Sequence, residues 1–338
     1  MNKITTIGLD LAKNVFHAVC LDEHGKQVSR KMLKRHQVLN YFAQKAPCLV
    51  GMEACAGAHY WARQLQEFGH EVKLIPPQYV KPFVRGNKND FNDALAIAEA
   101  VLRPEMRFAA IKTQAQQDVQ ALHRLRRHRV GERTALCNQV RGLIGEYGIV
   151  FPKGVNTLRR KLPELMEDAE NGLSDVFRQY LVRVQQQLQE LDTHIDFYTN
   201  LLQQESQQNE ACQRLLTIPG FGPIVASAFY SIVGNGEAYR RGRDVSAALG
   251  LVPRQHSSGG KDRLLGISKR GDRYARSLLV HGARSVVIQA GKKDDRLSRW
   301  INKLKAERGF NKAVVALANK MARIGWAVIA NKTVYQVR

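Results

Sequence analysis

Residues 4–33, which read ITTIGLDLAKNVFHAVCLDEHGKQVSRKML, contain three short segments with the character of strands, separated by polar turns. The segments at 4–9 and 15–21 are rich in Ile, Val, Phe and Leu, and the segment at 27–33 has Val, Met and Leu among polar residues, which predicts three β-strands. The chain therefore begins with three consecutive strands joined by tight reversals. After them, predicted helices and strands alternate as far as residue 76.

Helices are predicted at 37–44 and 59–68, and strands at 48–52 and 71–76. Strands interleaved with helices favour an α/β layer with a mixed sheet. We assign this α/β domain to residues 1–110.

Four acidic residues stand at the ends of these elements. Asp10 ends the first strand, Glu53 follows the fourth, and Asp90 and Asp93 lie three apart at the start of a predicted helix. Convergent carboxylates repel one another unless they hold hard cations, and Mg²⁺ is the natural occupant. Alternatively each acid is a turn or capping residue, with Asp90 as an N-cap. The order of strands and acids is typical of the ribonuclease-H-like, RuvC-type nuclease fold.

The 338-residue chain is strongly basic, because 52 Lys and Arg outnumber 30 Asp and Glu and give a net charge of +22. The charge is uneven: +9 over residues 1–150, −4 over 151–238 and +17 over 239–338. A basic excess of this density is the electrostatic footprint of a polyphosphate partner. Nucleic acid is therefore the predicted partner.

The five cysteines are odd in number and lack C-x-x-C spacing, which argues against a disulfide framework or a zinc finger. Asp10 and Lys13 interrupt the first apolar run, so it does not resemble a signal peptide. The uncharged stretch at 215–236 contains prolines and glycines and is not predicted to cross a membrane. A cytoplasmic protein without a membrane partner is expected.

The pattern of residues 112–147 predicts a helix with one apolar face and arginines on its other faces. The apolar positions are Val119, Leu122, Leu125, Leu136, Val140, Leu143 and Tyr147. The arginines are Arg124, Arg126, Arg127, Arg129, Arg133 and Arg141. They either bind nucleic-acid backbone or form a solvated face, and the global charge favours the first.

Apolar residues recur at alternating steps of four and three from Phe177 to Leu202, which is a heptad pattern. This helix is predicted to pair with the 112–147 helix in an antiparallel hairpin, or with a second copy of the chain in a homo-oligomer. We assign 111–210 to a helical coiled-coil connector and 211–338 to a mostly helical C-terminal domain.

The C-terminal domain contains a glycine turn, LTIPGFGPIVA, at 216–226. Gly220 and Gly222 lead into an apolar helix and can present backbone N–H groups to a phosphate, as a helix-hairpin-helix motif does. The alternative is a turn that merely joins two packed helices.

Ser257 and Ser258 precede two glycines in a predicted mobile, exposed loop. The cations around this loop are Arg254, Lys261, Arg263, Lys269, Arg270 and Arg273. Such a loop offers a hydroxyl nucleophile in a phosphate-binding environment. By chemistry alone, a Ser-Ser-Gly-Gly loop is usually only a flexible connection.

The motifs, in this order, resemble the DEDD-type transposases of bacterial insertion sequences, the bridge-RNA-guided recombinase family. The resemblance spans nearly the whole chain and rests on GLDLAKNVF, GMEACAGAHYWA, NKNDFNDALAIAEA, LLTIPGFGPIVASAF and ALGLVPRQHSSGGKDRLLGISKRGDRYARSLL. It implies a Mg²⁺-binding acidic tetrad composed of Asp10, Glu53, Asp90 and Asp93. It also implies that Ser258 is the nucleophile of a covalent serine–phosphate intermediate. Ser257 directly precedes it, so a second hydroxyl competes for the assignment.

The resemblance further implies three kinds of partner: donor and target double-stranded DNA, a structured non-coding guide RNA, and other copies of the chain in a dimer or tetramer. Sequence choice would then belong to base pairing, while the protein binds backbones and shape. Two other functions remain open. One is a RuvC-like junction resolvase in which water attacks the phosphate, and the other is a non-catalytic nucleic-acid-binding protein.

Overall fold

The computed structural model describes residues 3–87 and 89–336. The chain folds as two compact units, with the boundary between Thr113 and Gln114. The residues predicted as a connector, 111–210, therefore lie mostly in the same unit as those predicted as the C-terminal domain.

The first unit is built on a five-stranded sheet with the order β3-β2-β1-β4-β5. Its strands are β1 (Thr6–Asp10), β2 (Val15–Leu21), β3 (Gln27–Lys34), β4 (Leu49–Glu53) and β5 (Glu71–Ile75). Its helices are α1 (Val38–Ala43), α2 (Ala58–Glu67), α3 (Pro77–Val80) and α4 (Asp90–Val101), with short 3₁₀ turns at Arg35–Gln37 and Lys81–Phe83. β2 runs antiparallel to β1 and β3, whereas β4 runs parallel to β1 and β5. The predicted mixed sheet is confirmed, and it fits a ribonuclease-H-like domain.

Helices cover both faces of this sheet. On one face, Ile7, Leu9 and Phe16 pack with Trp61 and Leu65 of α2 in one apolar core. Contacts of α4 cover the other face, because residues of α4 lie directly over β1, β2 and β4. The position of α4 matters for function, since this helix begins with two of the candidate acids.

The second unit is mostly helical. Its helices are α5 (Gln114–Gly145), α6 (Val155–Glu167), α7 (Asp175–Gln208), α8 (Glu210–Leu216), α9 (Pro223–Val233), α10 (Gly242–Ala248), α11 (Arg273–Gln289), α12 (Arg296–Arg308) and α13 (Phe310–Ala330), with a 3₁₀ turn at Ala290–Lys292. A two-stranded sheet, β6 (Pro253–Ser258) and β7 (Lys261–Ile267), stands between α10 and α11.

The heptad pattern of α7 is satisfied within the chain. α5 and α7 pack antiparallel, because Arg126 Nε donates to Thr199 Oγ1 at 2.8 Å and Arg133 Nη1 lies 2.7 Å from Asp192 Oδ1. Leu181, Val184 and Leu188 are buried against α5 and α6. This confirms the predicted hairpin, and these seam positions need no second chain to bury them.

The predicted apolar face of α5 is partly wrong. Leu125 and Leu143 are exposed, at 45% and 37% of their surface, and Tyr147, 38% exposed, lies beyond the end of α5. His123 and Cys137 are buried instead. The long helix packs on different neighbours along its length, so one periodic stripe does not describe it.

Among the described residues, one helix, α13, is long and apolar enough to cross a membrane by length and composition alone. Half of the apolar 18-residue stretch of α13 is buried. Its Leu317 and Met321 belong to the largest apolar core, with residues of α9 and α11. These contacts are those of a core helix.

Candidate active site and nucleic-acid-binding surfaces

The ends of β1 and β4 bring two of the predicted acids to one edge of the sheet. The strands are parallel, and Leu9 stands beside Met52, so Asp10 and Glu53 follow at the same level. α4 begins at Asp90 and carries Asp93 in the same first turn. Asn89, rather than Asp90, caps this helix, since its Oδ1 accepts from the Phe91 N–H at 2.9 Å. Asp90 is therefore not needed as an N-cap.

Two glycines allow α4 to lie against this edge. Side chains two residues apart share one face of a strand, so Gly8 shares the face of Asp10 and Gly51 that of Glu53. A Cβ at Gly8 would lie 2.6 Å from Ala98 N, and one at Gly51 would lie 2.9 Å from Val101 Cβ. The spacing Gly-x-acid, present at both strand ends, is a signal that the sequence analysis overlooked.

The four carboxylates, which we call the acidic tetrad, share one electrostatic field. Burial raises the pKa of the Asp10 carboxyl to about 6, and the charges of Asp93, Asp90 and Glu53 add to this rise. Burial and Asp93 also raise the pKa of Glu53. Each ionised carboxylate thus makes ionisation of its neighbours harder, an arrangement that a bound cation would relieve.

His17 is a site residue that the sequence analysis missed. It stands directly opposite Asp10 in the pairing of β1 and β2. Its Nδ1 lies 3.6 Å from Asp90 Oδ2, and its ring packs edge-on against Phe91 at 4.7 Å between centroids. His17 thereby connects the first turn of α4 to the sheet.

The tetrad fits a hard divalent cation by its chemistry and charge. All four donors are carboxylate oxygens, which is the ligand type that Mg²⁺ and similar ions take. However, no group of three or more His, Cys, Asp or Glu side chains in residues 3–87 and 89–336 is close enough to hold a metal ion. The four carboxylates are therefore suitable ligands, but in this structure they stand too far apart to coordinate one ion together.

Gly8→Ala tests the packing of α4 on β1. We expect the added methyl group to displace α4 and to lower the free energy of unfolding by about 1–3 kcal/mol. Urea unfolding measures this loss. Gly131→Ala is the control, because its Cβ meets nothing within 4 Å inside α5 and should leave stability equal or higher. If Gly8→Ala is as stable as the wild type, α4 does not pack as closely on β1 as the structure shows.

The predicted serine loop is instead a β-hairpin. β6 and β7 are joined by Gly259 and Gly260, whose φ angles are 56° and 75°. Positive φ at both central residues is what a type I′ turn requires, and two glycines supply it. All of β6 is exposed to solvent. The predicted exposure is confirmed, whereas the predicted loop is wrong, because β6 and β7 pair as strands on either side of the two glycines.

The hairpin places the two serines on opposite faces. Ser258 pairs with Lys261, and two residues earlier His256 pairs with Arg263, so these four side chains share one face. Ser257 lies on the other face, where its Oγ donates to Asp262 Oδ1 at 2.6 Å. Ser258 therefore stands among basic side chains, and Ser257 is held by a carboxylate.

The base of the hairpin is clamped to α10 and α11. Arg276, only 9% exposed, donates through Nη1 to the carbonyls of Leu249 at 2.9 Å and Arg270 at 3.1 Å. Gly250 has a φ of +69°, and a Cβ there would lie 2.6 Å from Arg270 N. The hairpin thus projects from a base that is hydrogen-bonded and closely packed.

The structure separates the predicted nucleic-acid-binding residues into two groups. The exposed cations are Arg124, Arg127, Arg254, Lys261, Arg263, Lys269, Arg270 and Arg273. Arg126 and Arg129 are half-buried and engaged within the unit: Arg126 with Thr199 on α7, and Arg129 with Glu132 at 2.9 Å. The exposed group is the better placed for phosphate contact.

The two glycines of the turn at 216–226 differ in their surroundings. Gly220 has a φ of +90°, and its missing side chain makes room for Gly282 and Met321, so it joins packed helices. Gly222 is exposed at the start of α9. Only Gly222 is open to a ligand.

A buried histidine behind the arginines of α5 was also missed. His123 Nε2 lies 3.0 Å from Ser227 Oγ, and its Nδ1 lies 3.1 Å from Tyr274 Oη. Ser227 donates its proton to the Pro223 carbonyl at 2.7 Å, so we assign the imidazole proton to Nε2. Burial lowers the pKa of His123 to about 4, which keeps it neutral. This network ties α5 to α9 and α11.

A ribonuclease-H-like sheet with clustered carboxylates at its strand ends defines a nuclease-like class of protein. Residues 7–149 match a family described as Transposase, of the IS110 DEDD type, and residues 212–299 match the Transposase IS116/IS110/IS902 family. The chain belongs to the IS110/IS116 family of DEDD transposases, which are DNA-processing enzymes of insertion sequences.

Relatives are similar over the full length. A probable family 20 transposase of Pseudomonas aeruginosa is 47% identical, over 98% of this chain and 99% of that protein. The transposase for insertion sequence element IS1328 of Yersinia enterocolitica is 43% identical, over 99% of each chain. The transposase for IS1111A of Coxiella burnetii is 44% identical, over 99% of this chain and 92% of that protein.

Proposed function

We propose that this transposase cuts and rejoins DNA through a covalent bond between Ser258 and a DNA phosphate. The observation that carries the proposal is the position of Ser258 next to the turn of an exposed hairpin, on the face with His256, Lys261 and Arg263. A basic, solvent-accessible face attracts a phosphodiester to the hydroxyl. The clamped base of the hairpin supports the same role, because a nucleophile must be held in place.

In the proposed step, Ser258 Oγ forms a bond to phosphorus as the bond from phosphorus to the bridging oxygen of the next nucleotide breaks. The serine proton passes to solvent, and the departing oxygen takes up a proton as the free hydroxyl of that strand. Attack of a DNA hydroxyl on the serine phosphodiester reverses the step and restores Ser258. The number of phosphodiester bonds is conserved, so rejoining needs no external energy source.

The acidic tetrad would hold Mg²⁺ through Asp10, Glu53, Asp90 and Asp93. The ion would supply charge stabilisation for the scissile phosphate and the leaving oxygen. Within the chain, Gly8 and Gly51 let α4 present its acids to the sheet edge, and His17 holds Asp90 near Asp10. Mutual repulsion among the carboxylates supports this assignment, because it favours cation uptake.

The proposed partners are donor and target DNA duplexes, and a structured guide RNA that selects them by base pairing. The net charge of +22 and the exposed cations of α5 and the hairpin support binding of several nucleic-acid strands. We propose that the protein acts in the cytoplasm as a dimer or tetramer, because recombination joins two duplexes. The DNA-binding part of the proposal does not require the RNA.

A second candidate function is metal-dependent cleavage in which water attacks the phosphate and the hairpin only binds DNA. The carboxylate cluster favours it, because acidic residues that hold metal ions can activate water for phosphodiester cleavage without a serine nucleophile.

Covalent trapping decides between the two candidates. The protein is incubated with Mg²⁺, labelled donor and target DNA and the RNA transcribed from its own insertion sequence, then denatured and analysed on a gel. We expect labelled DNA to migrate with the protein and to be released by protease. Cleaved DNA without any adduct would establish the water mechanism, and samples without RNA show whether a guide is needed.

A further inference from the structure

We propose that a cationic groove in the second unit binds an unpaired DNA strand. The groove has a volume of about 680 Å³ and lies between the start of α10, the first half of α12 and α13. Its principal lining residues are Arg241, Arg243, Trp300, Lys320, Arg323 and Trp326. They belong neither to the acidic tetrad nor to the serine hairpin, and no motif in the sequence analysis marked them.

The positive charge of this groove is largely uncompensated. Arg241, Arg243 and Arg323 are exposed, and Lys320 is half-buried. Arg241 Nε lies 3.4 Å from Asp244 Oδ1. Across the described part of the chain, the other three cations have no carboxylate within 4 Å. Cations left unpaired in one groove are suited to consecutive phosphates of a polynucleotide.

Two half-buried tryptophans lie among these cations. Lys320 Nζ is 4.6 Å from the centroid of the Trp300 ring. Trp326 Nε1 donates to the Gly236 carbonyl at 3.0 Å, which holds the plane of its indole. Aromatic rings beside cations are the recognition elements of single-strand grooves, where bases stack on the rings while cations follow the backbone.

The shape of the groove favours a single strand over a duplex. Bases in a duplex stack on one another, so they reach aromatic rings in a concave site only when unpaired. The volume lies within the roughly 300–1,000 Å³ of sites for small organic ligands, which suits a short run of nucleotides and not a double helix. Gly242 adds to the concavity, because its bare backbone lies against Arg323 of α13.

DNA is the assigned strand because the chain belongs to a transposase family, and strand transfer between duplexes passes through unpaired ends. This inference needs only DNA processing by the family. It stands or falls independently of Ser258, the acidic tetrad and the guide RNA, since binding of short oligonucleotides is measured without metal and without the guide RNA.

The test measures fluorescence anisotropy of labelled oligonucleotides with the full chain. The probes are oligo(dT), oligo(rU), an abasic DNA strand of equal length and a DNA duplex. We expect Arg243→Ala/Arg323→Ala to weaken oligo(dT) binding about tenfold and to reduce the magnitude of its salt slope by about 1.4, at about 0.7 per lost phosphate contact. Duplex binding should change much less. Lys292→Ala/Lys293→Ala removes the same charge outside the groove and should leave oligo(dT) affinity near wild type.

Intrinsic tryptophan fluorescence tests stacking without altering a core residue. Oligo(dT) is expected to quench it, and the abasic strand is expected to bind more weakly and quench little. The proposal is overturned if the arginine variant binds oligo(dT) like the lysine control, if the abasic strand binds and quenches equally, or if only oligo(rU) loses affinity. The last outcome would assign the groove to RNA.

Discussion

Replacing Ser258 with alanine is expected to abolish the covalent protein–DNA adduct and to reduce strand cleavage by on the order of a thousandfold or more. The reason is chemical, because alanine leaves no oxygen to bond phosphorus at that position. The remaining cations of the same face, Lys261 and Arg263, should still bind DNA. Trapping on denaturing gels measures the adduct, and filter binding measures the retained affinity.

Ser257→Ala is the matched control, one residue away on the opposite face of the hairpin. It removes the hydrogen bond to Asp262 and should keep the adduct, with at most a modest loss from a looser turn. If the adduct is instead lost only in Ser257→Ala, the nucleophile is Ser257, with Asp262 oriented to accept its proton. If neither change affects cleavage and no adduct forms, water is the nucleophile.

Asp10→Asn is expected to lower cleavage by on the order of a hundredfold to a thousandfold, because it removes one charged ligand from the acidic tetrad. Nucleic-acid binding should be retained, since the exposed cations are untouched. Glu105→Gln, which changes an exposed acid away from the strand ends, is the control and should cleave normally. Full cleavage by Asp10→Asn would exclude the tetrad from the active site.

The same variant has a second, pH-dependent signature. The pKa of Asp10 rises from its ordinary value of 3.8 to about 6 in the folded protein, so ionisation opposes folding. The wild type therefore loses stability as the pH rises from about 4 to about 6, whereas Asp10→Asn does not lose this contribution. Without divalent metal, the variant should have the higher Tm at pH 7.5, and the difference should disappear below pH 4. Added Mg²⁺ should raise the wild-type Tm more than the variant Tm.

Much of the first unit could be predicted from the sequence, because short apolar segments bounded by polar turns identify strands without knowledge of distant residues. The predicted strand at 15–21 matches Val15–Leu21, and the predicted helix at 59–68 differs from Ala58–Glu67 by one residue at each end. The α7 heptad was likewise visible, since its buried positions recur with the period of the helix itself. By contrast, PRQHSS in β6 has no apolar alternation, so the hairpin gave no strand signal.

The amino-acid sequence by itself determined the mixed sheet, the basic character, the family motifs and the chemical types of the candidate residues. These follow from local periodicity and composition, which need no knowledge of neighbours. Only the tertiary structure decided that Gly8 and Gly51 admit α4 to the acidic edge, that Ser257 and Ser258 face opposite ways, and which arginines of α5 stay exposed. It also assembled the groove, whose residues lie about eighty positions apart in the chain. Each of these depends on packing between distant segments, which a linear pattern does not encode.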